Sequence, residues 1–454
     1  MDQHNSSGAS MAIPLSGNSG TDINTVKPVA TADRVKSIDA IRGVALLGIL
    51  MMNIPGFGMN NDFWYPIING PRAGADYYTF AAVFTLFEGT MRGLFSMLFG
   101  AGMVLFMMNK KETLGGPTVA EYYYRRLLWL VGFGLFNAFV LLWFGDILFF
   151  YGLCGMLLFP FRKLKPQWLI IIGLACIAIT MFKSNLNYQE TRDKRMAYNE
   201  AITAEKAKKA LTPEQEEAKA TWLDIEKRQK PDTAQMNDNL RNMRGSYPTV
   251  FLHLIPENAN GEINYMYHGI WDMLCMMFIG MGLFLIGFFS NKLRTSTYVM
   301  WMLIGYGIGL PVAWALFDNQ WMNVNIGQYF DHWTVSHSVF AEFRRLPLTI
   351  GHASLIMLVF RSNIVPWLMK ALSNVGQMAF TNYLMQSIIC TWFFYGYGFN
   401  NYNRLSFYQI YYVVGAVWIF QLIFSSIWLR YFRFGPFEWV WRSLTYWKKQ
   451  PMKL

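Results

Sequence analysis

Long apolar runs alternate with short polar turns along this chain, and the turns carry many of its basic residues. A bilayer core about 30 Å thick calls for roughly 20 mostly apolar residues in a spanning helix. Runs near 38–59, 80–108, 126–144, 146–161, 167–183, 266–289, 297–317, 345–361, 368–393 and 408–430 meet or approach that length. The pattern predicts an all-α membrane protein with about ten transmembrane helices. The fourth run is short and follows the tight Phe144-Gly145-Asp146 turn, so the third and fourth helices are expected to form a hairpin.

One stretch breaks the pattern. Residues 184–265 are charged and rich in Ala, Glu and Lys. Within them Thr212 is placed to cap a helix that opens with Pro213, and the acids that follow suit the positive end of the helix dipole. This stretch is expected to be an extracytoplasmic helical insertion. It divides an N-terminal five-helix bundle, 34–183, from a C-terminal five-helix bundle, 266–430. Residues 1–33 have no apolar core of a signal peptide and read as a disordered cytoplasmic tail; 431–454 read as a basic cytoplasmic tail.

Charge gives the orientation. Lys27, Arg34 and Lys36, the Lys110–Lys111 turn, Arg125 and Arg126, Arg162 to Lys165, Lys292 and Arg294, Arg361 and Lys370 fall on one side with the C-terminal tail. Only Arg72, Arg344, Arg345 and Arg404 fall in the short segments of the other side. The positive-inside rule then puts both termini in the cytoplasm of a bacterial inner membrane. The same distribution turns the net charge of +11 away from nucleic acid and toward the lipid bilayer as partner. Cys154, Cys176, Cys275 and Cys390 lie inside apolar runs and read as core cysteines.

Ionisable groups inside spans are costly, which makes them candidates for function. Asp39 and Arg42 are three apart, on one face of the first span, as a pair or as part of a cleft. Asn53, about three turns further on, shares their azimuth, so all three are expected to face one cleft. Glu88 and Arg92 are expected to pair within the second span. Asp146 opens the fourth span, and Asp272 has no evident partner. His268, His332 and His337 fall on the outer side, where a histidine can act as a general base. No histidine has a metal-binding spacing, so no metal site is expected, and there is no Walker A or G-x-S-x-G motif. Gly100-Ala-Gly102, Gly280-Met-Gly282 and Gly305-Tyr-Gly307-Ile-Gly309 read as close helix packing, which serves a homodimer as well as a monomer.

The opening of the first span, Ser37-Ile-Asp39-Ala-Ile-Arg42-Gly43 through Asn53, resembles that of the YeiB-like family of bacterial membrane proteins. Leu94-Phe-Ser-Met-Leu-Phe-Gly100-Ala-Gly102 and Gly145-Asp146-Ile147-Leu148 match its next motifs. Ala379-Phe-Thr381-Asn382-Tyr383-Leu-Met-Gln386-Ser and Trp428-Leu-Arg430 through Arg442 resemble its C-terminal domain of unknown function, and make Asn382 and Gln386 candidate binding residues. Two positions depart from the family pattern: Asn137 stands where a His is usual, and His352 where an aromatic is expected. Asn can hydrogen-bond there but cannot titrate.

The N-terminal pattern is also similar to that of membrane acyltransferases of the heparan glucosaminide acetyltransferase type. That likeness implies acyl-CoA as donor substrate and an envelope glycan or lipid as acceptor. It implies Asn53 at the reaction centre, while the His that follows in that group is missing between Pro55 and Tyr65. The base is then expected from His268, His332, His337 or a carboxylate. The alternative is a small-molecule transporter in which Asp39, Glu88 and Asp272 relay protons. A third reading is a scaffold that holds an envelope partner through 184–265.

Overall fold

The computed structural model describes residues 36–60, 62–68, 70–108, 118–228, 232–321 and 326–454, without the side chains of 264–268 and 319–321. The expected tail at 1–33 and the Lys110–Lys111 turn lie outside the described residues. Helices run in the order α1 (Lys36–Gly58), α2 (Trp64–Ile68), α3 (Ala75–Leu86), α4 (Thr90–Met108), α5 (Val119–Phe139) and α6 (Leu148–Leu158). Then come α7 (Pro166–Lys206), α8 (Pro213–Arg228), α9 (Thr233–Met243), α10 (Tyr247–Leu285), α11 (Thr295–Trp321) and α12 (Ile326–His332). The chain closes with α13 (His337–Ser362), α14 (Pro366–Gln377), α15 (Ala379–Phe394), α16 (Phe407–Trp428) and α17 (Pro436–Tyr446). Among the described residues the one bridge between extended segments joins Phe432 and Lys453. This is an all-α membrane protein.

Six stretches among the described residues have the length and hydropathy of membrane spans: Lys36–Gly58, Ala75–Met108, Pro166–Lys206, Thr295–Asp318, His337–Ser362 and Phe407–Trp428. The other expected spans fall on different kinds of helix. Two are short apolar stretches, Leu148–Phe161 and Gly269–Leu285. The run at 126–144 becomes α5, which carries Glu121, Arg125 and Arg126 in its first turns. The run at 368–393 is broken at Met378 into α14 and α15. Apolar side chains on the outside of the bundle, such as Leu303 (62% exposed) and Trp314 (52%) on α11, meet hydrocarbon rather than water.

The second expected span is also broken, between α3 and α4. Gly89 sits there at φ +71°, a conformation only glycine adopts without strain. Close packing explains other glycines. A Cβ on Gly100 would strike the Met277 backbone, and one on Gly280 the Met97 backbone, so α4 and α10 meet almost backbone to backbone. Gly43 and Gly376 do the same for α1 and α14. Gly102 and Gly307, by contrast, face open space.

The bundle has two ends. At the basal end the start of α1 meets the turn after α10, and also α14: the Ser37 hydroxyl donates to Phe289 O at 2.7 Å, and Ser373 to Lys36 O at 3.3 Å. At the apical end Gly58 O accepts from Asn403 N–H at 2.7 Å, and Arg244 donates to Tyr402 O at 2.8 Å. The charged insertion stands here. The boundaries expected at 183/184 and 265/266 fall inside α7 and α10, which run unbroken from the bundle into the insertion. The helix at Pro213 begins where its cap predicts, with Gln215 N–H on Thr212 Oγ1 at 3.3 Å and Thr212 N–H on Gln215 Oε1 at 3.1 Å. Trp222 of α8 is fully buried against α7 and α12, in contact with Tyr198 and Phe330.

Candidate functional site

Two cavities among the described residues of the bundle hold candidate residues. The basal cavity, about 230 Å³, is lined by Asp39 and Arg42 of α1, Arg126 of α5 and Arg442 of α17, with Tyr151 and Tyr383 at its inner limit. Asp39 and Arg42 form the pair their spacing predicts, at 2.6 Å, and Arg42 also reaches Gly376 O at 3.4 Å. Arg126 is held by rings instead. Its guanidinium stacks 4.0 Å from the Trp441 centroid and 5.3 Å from that of Phe106, and donates no hydrogen bond within the described residues. Arg442 lies 4.4 Å over the Phe434 ring.

The position of α17 makes this arrangement. Glu438 accepts from Phe380 N–H at 2.7 Å and Thr381 N–H at 3.0 Å, and from the Thr381 hydroxyl. A carboxylate thus satisfies orphan donors at the start of α15. Trp441 Nε1 donates to Arg126 O at 2.9 Å. Together these contacts dock α17 across the mouth of the cavity.

The apical cavity, about 370 Å³, is lined by Asn53, Glu88, Arg92, Asp272, Glu342, Arg344 and Arg345. Here the expected Glu88–Arg92 pair is corrected. Glu88 falls in the α3–α4 break rather than inside a helix, and it pairs with Arg344 at 3.0 Å. Arg92 instead meets Asp272 at 2.9 Å. Arg345 bonds Asp272 as well, and reaches Glu342 at 2.8 Å. Arg344 and Arg345, expected in or beside an outer loop, are buried because α13 begins eight residues earlier than expected. Asn53 lines this cavity and makes no side-chain hydrogen bond among the described residues, so its amide is available to a ligand.

The expectation that Asp39, Arg42 and Asn53 share one cleft is also corrected. Azimuth alone does not decide it: eleven residues of helix advance about 16 Å along the axis, enough to put Asn53 in the other cavity. Two tyrosines separate the cavities. Tyr151 Oη lies 2.6 Å from Ser96 Oγ and donates to Arg92 O at 3.4 Å. Tyr383 Oη accepts from Ile147 N–H at 3.2 Å and donates to Asp146 at 3.4 Å. Arg92 and Ile147 line the apical side, so both hydroxyls bond the backbone of residues that line the other cavity.

Other candidates stand apart. Asp146 is buried at the start of α6, where it accepts from Phe149 N–H at 2.9 Å and from Asn137 Nδ2 at 2.8 Å. Asn382 and Gln386 line neither cavity. They belong to a network that joins α15 to α16, through Asn382 Nδ2 to Ser425 Oγ (2.9 Å), Gln421 Nε2 to Asn382 O (2.7 Å) and Gln386 Nε2 to Gln421 Oε1 (3.1 Å). His332 is exposed on α12, with Nδ1 3.1 Å from Gln328 O. His337 is buried against Trp333 and Tyr329. Neither lines the apical cavity. The His268 side chain lies outside the described residues. His352 is held by Tyr306 Oη and Leu86 O, each at 2.9 Å.

Arg126, Arg442, Tyr151, Tyr383 and Glu342 were not among the candidate site residues, although Tyr151, Tyr383 and Arg442 stand in the motifs that carry the family resemblance. The one signal for Arg126 was its place in a basic flank, and for Glu342 its i,i+3 spacing to Arg345.

Residues 283–448 match the family described as "Protein of unknown function (DUF418)". The uncharacterized protein YxaH of Bacillus subtilis is 30% identical over 95% of this chain and 98% of its own. The uncharacterized protein YeiB of Escherichia coli is 30% identical over 91% of this chain and 96% of its own. No solved structure matches. The matches to YxaH and YeiB span nearly the whole chain, insertion included, and on that ground the chain belongs to the YeiB-like family of bacterial membrane proteins.

Proposed function

We propose that this chain is a transmembrane acyltransferase of the inner membrane. It takes an acyl group from acyl-CoA at the basal cavity and passes it to a hydroxyl of an envelope glycan or glycolipid at the apical cavity. The observation that carries this reading is the pair of cavities set back to back across Tyr151 and Tyr383, with a ring-held arginine open to ligand in the basal one. The basic flanks support a cytoplasmic basal end, with both termini there and the insertion outside.

Arginine is suited to phosphate, and Arg42, Arg126 and Arg442 are placed to meet the phosphates of the donor. The basal cavity is smaller than the roughly 300–1,000 Å³ typical of whole-ligand pockets. It therefore takes the narrow thioester arm, among Phe95, Phe99 and Phe106, while the nucleotide stays at the mouth. The arm passes the partition by rotation of a tyrosine. Asn53 then donates its amide to the carbonyl oxygen as charge develops there. Glu342 takes the proton of the acceptor hydroxyl. The new C–O bond forms, the C–S bond breaks, and the thiolate leaves on the basal side and gains a proton from solvent. Asp272, Arg92 and Arg344 orient the acceptor.

Thermal unfolding of the purified chain in detergent, with acetyl-CoA, a longer acyl-CoA and free CoA, tests the donor. A ligand at a hundredfold excess over its Kd stabilises by about 2.7 kcal/mol. A saturable rise in Tm is expected, lost in Arg126→Ala. No rise with any CoA species in folded protein contradicts the reading and favours a permease that uses the two cavities in alternation.

A further inference from the structure

The turn between α5 and α6 meets α10 around buried oxygens that the transfer reaction leaves unused. Asp146, 3% exposed, accepts from Asn137 Nδ2, Phe149 N–H and the Tyr383 hydroxyl, and Leu148 N–H also supports its carboxylate. Asn258 of α10 donates to Ala138 O at 2.5 Å, beside Asn137. Glu262 follows Asn258 by four residues, hence on the same helical face. It makes no hydrogen bond or ion pair within the described residues, and the charge of Asp146 acts on it.

Three buried oxygens here have no donor: Asn137 Oδ1, Asn258 Oδ1 and Glu262 Oε2. Orphaned acceptors of this kind are rare in folded proteins, and a bound ion is one of the recognised reasons for them. The Asp146 and Glu262 carboxylates also act on each other electrostatically, and among the described residues no arginine or lysine is bonded to either. Such a pair is costly unless something positive compensates it. Apart from Trp143 Nε1 in the same turn, the unsatisfied atoms here are oxygens, and Asp146 and Glu262 bring two carboxylates to them.

We propose that Asp146, Asn137, Asn258 and Glu262 form a binding site for a divalent cation, and that the cation is Ca²⁺. Hard cations take carboxylate and amide oxygens, and a divalent one balances this pair. Ca²⁺ accepts irregular sets of six to eight oxygens, while Mg²⁺ demands near-octahedral geometry and keeps its waters. Phe149 N–H and the Tyr383 hydroxyl fix the Asp146 carboxylate from behind, as outer partners of metal ligands do. Two of the four ligands are neutral amides, so the site is not a group of three or more His, Cys, Asp or Glu, of which the described residues hold none. Ile147, next to Asp146, lines the apical cavity and gives the ion a route from that side. Bound there, the cation pins the α5–α6 turn to α10.

The test uses the full chain in detergent, stripped with EDTA at neutral pH. Equilibrium dialysis against ⁴⁵Ca²⁺ is expected to show saturable binding of a single ion per chain, with a matching rise in Tm. Glu262→Gln, which keeps the side-chain shape, and Asn258→Ala are each expected to weaken binding by about tenfold or more. The proposal is overturned if the wild-type chain binds no Ca²⁺ saturably, or if both variants bind it unchanged. It is equally overturned if the wild type gains stability on acidification but none from Ca²⁺, because protons then neutralise the pair. None of these readouts involves a CoA species, so the result stands apart from the transferase reading.

Discussion

Asn382 and Gln421 show how a polar residue in a membrane bundle can be wholly structural. Each is fully buried, and together with Ser425 they hydrogen-bond one another across α15 and α16, with Asn382 Oδ1 left without a donor among the described residues. Removing one partner strands the others, at about 1–3 kcal/mol for each orphaned group. Asn382→Leu is accordingly expected to lower Tm while leaving the CoA-dependent shift in place. Arg126→Ala is expected to do the reverse, since its guanidinium holds no protein acceptor. A loss of the CoA shift in Asn382→Leu would move that network into the site. From sequence the two could not be separated: both were polar or charged groups near apolar runs, and only packing shows which are satisfied. The oxygens gathered at Asp146 were hidden for a related reason, because they come from two distant segments, 137–146 and 258–262, and no spacing joins one segment to the other.

At the scale of elements, α4 and α10 depend on Gly100 and Gly280 for their approach. Overpacking of this kind costs about 1–3 kcal/mol. Gly100→Ala and Gly280→Ala are expected to lower Tm, and Gly307→Ala, which meets nothing within 4 Å, to leave it unchanged. Equal effects in all three would deny the close contact. The insertion carries its own signature. The Arg195 guanidinium beside Asp331, with N–O distances of 2.6 and 2.9 Å, holds that carboxyl below the usual carboxylate range. A depressed carboxylate stabilises the fold above its unfolded pKa of about 3.9, and the stabilisation is lost as pH falls through the lower folded value. Hydrogen exchange in α12 is expected to quicken as pH falls below about 4, beyond the intrinsic pH effect, and Asp331→Asn to abolish that step. An identical profile in the variant would assign the step elsewhere. Helix starts with a local cap, such as Thr212–Pro213, were legible in the sequence. Breaks were not. Gly89 and Met378 each interrupt an apolar run that hydropathy reads as continuous, and the first of these breaks sends Glu88 to Arg344 instead of Arg92.

For the whole molecule, the class and the family were legible because both rest on many residues: apolar runs for one, and motifs spread from Ser37 to Arg442 for the other. The division into two cavities was not, because it depends on how deep each polar side chain sits, and helical periodicity carries azimuth but not depth. That division underlies the proposed reaction. In the proposed orientation, sealed inverted vesicles that contain the protein, supplied outside with acetyl-CoA labelled on the acetyl group, put the donor at the basal end and the acceptor at the apical one. The account predicts that label accumulates on glycan or lipid inside the vesicles, and that Asn53→Ala and Glu342→Gln each abolish it while the folded protein still binds CoA. Label that stays on CoA in wild-type vesicles stocked with envelope acceptors, or that accumulates equally in both variants, would contradict it.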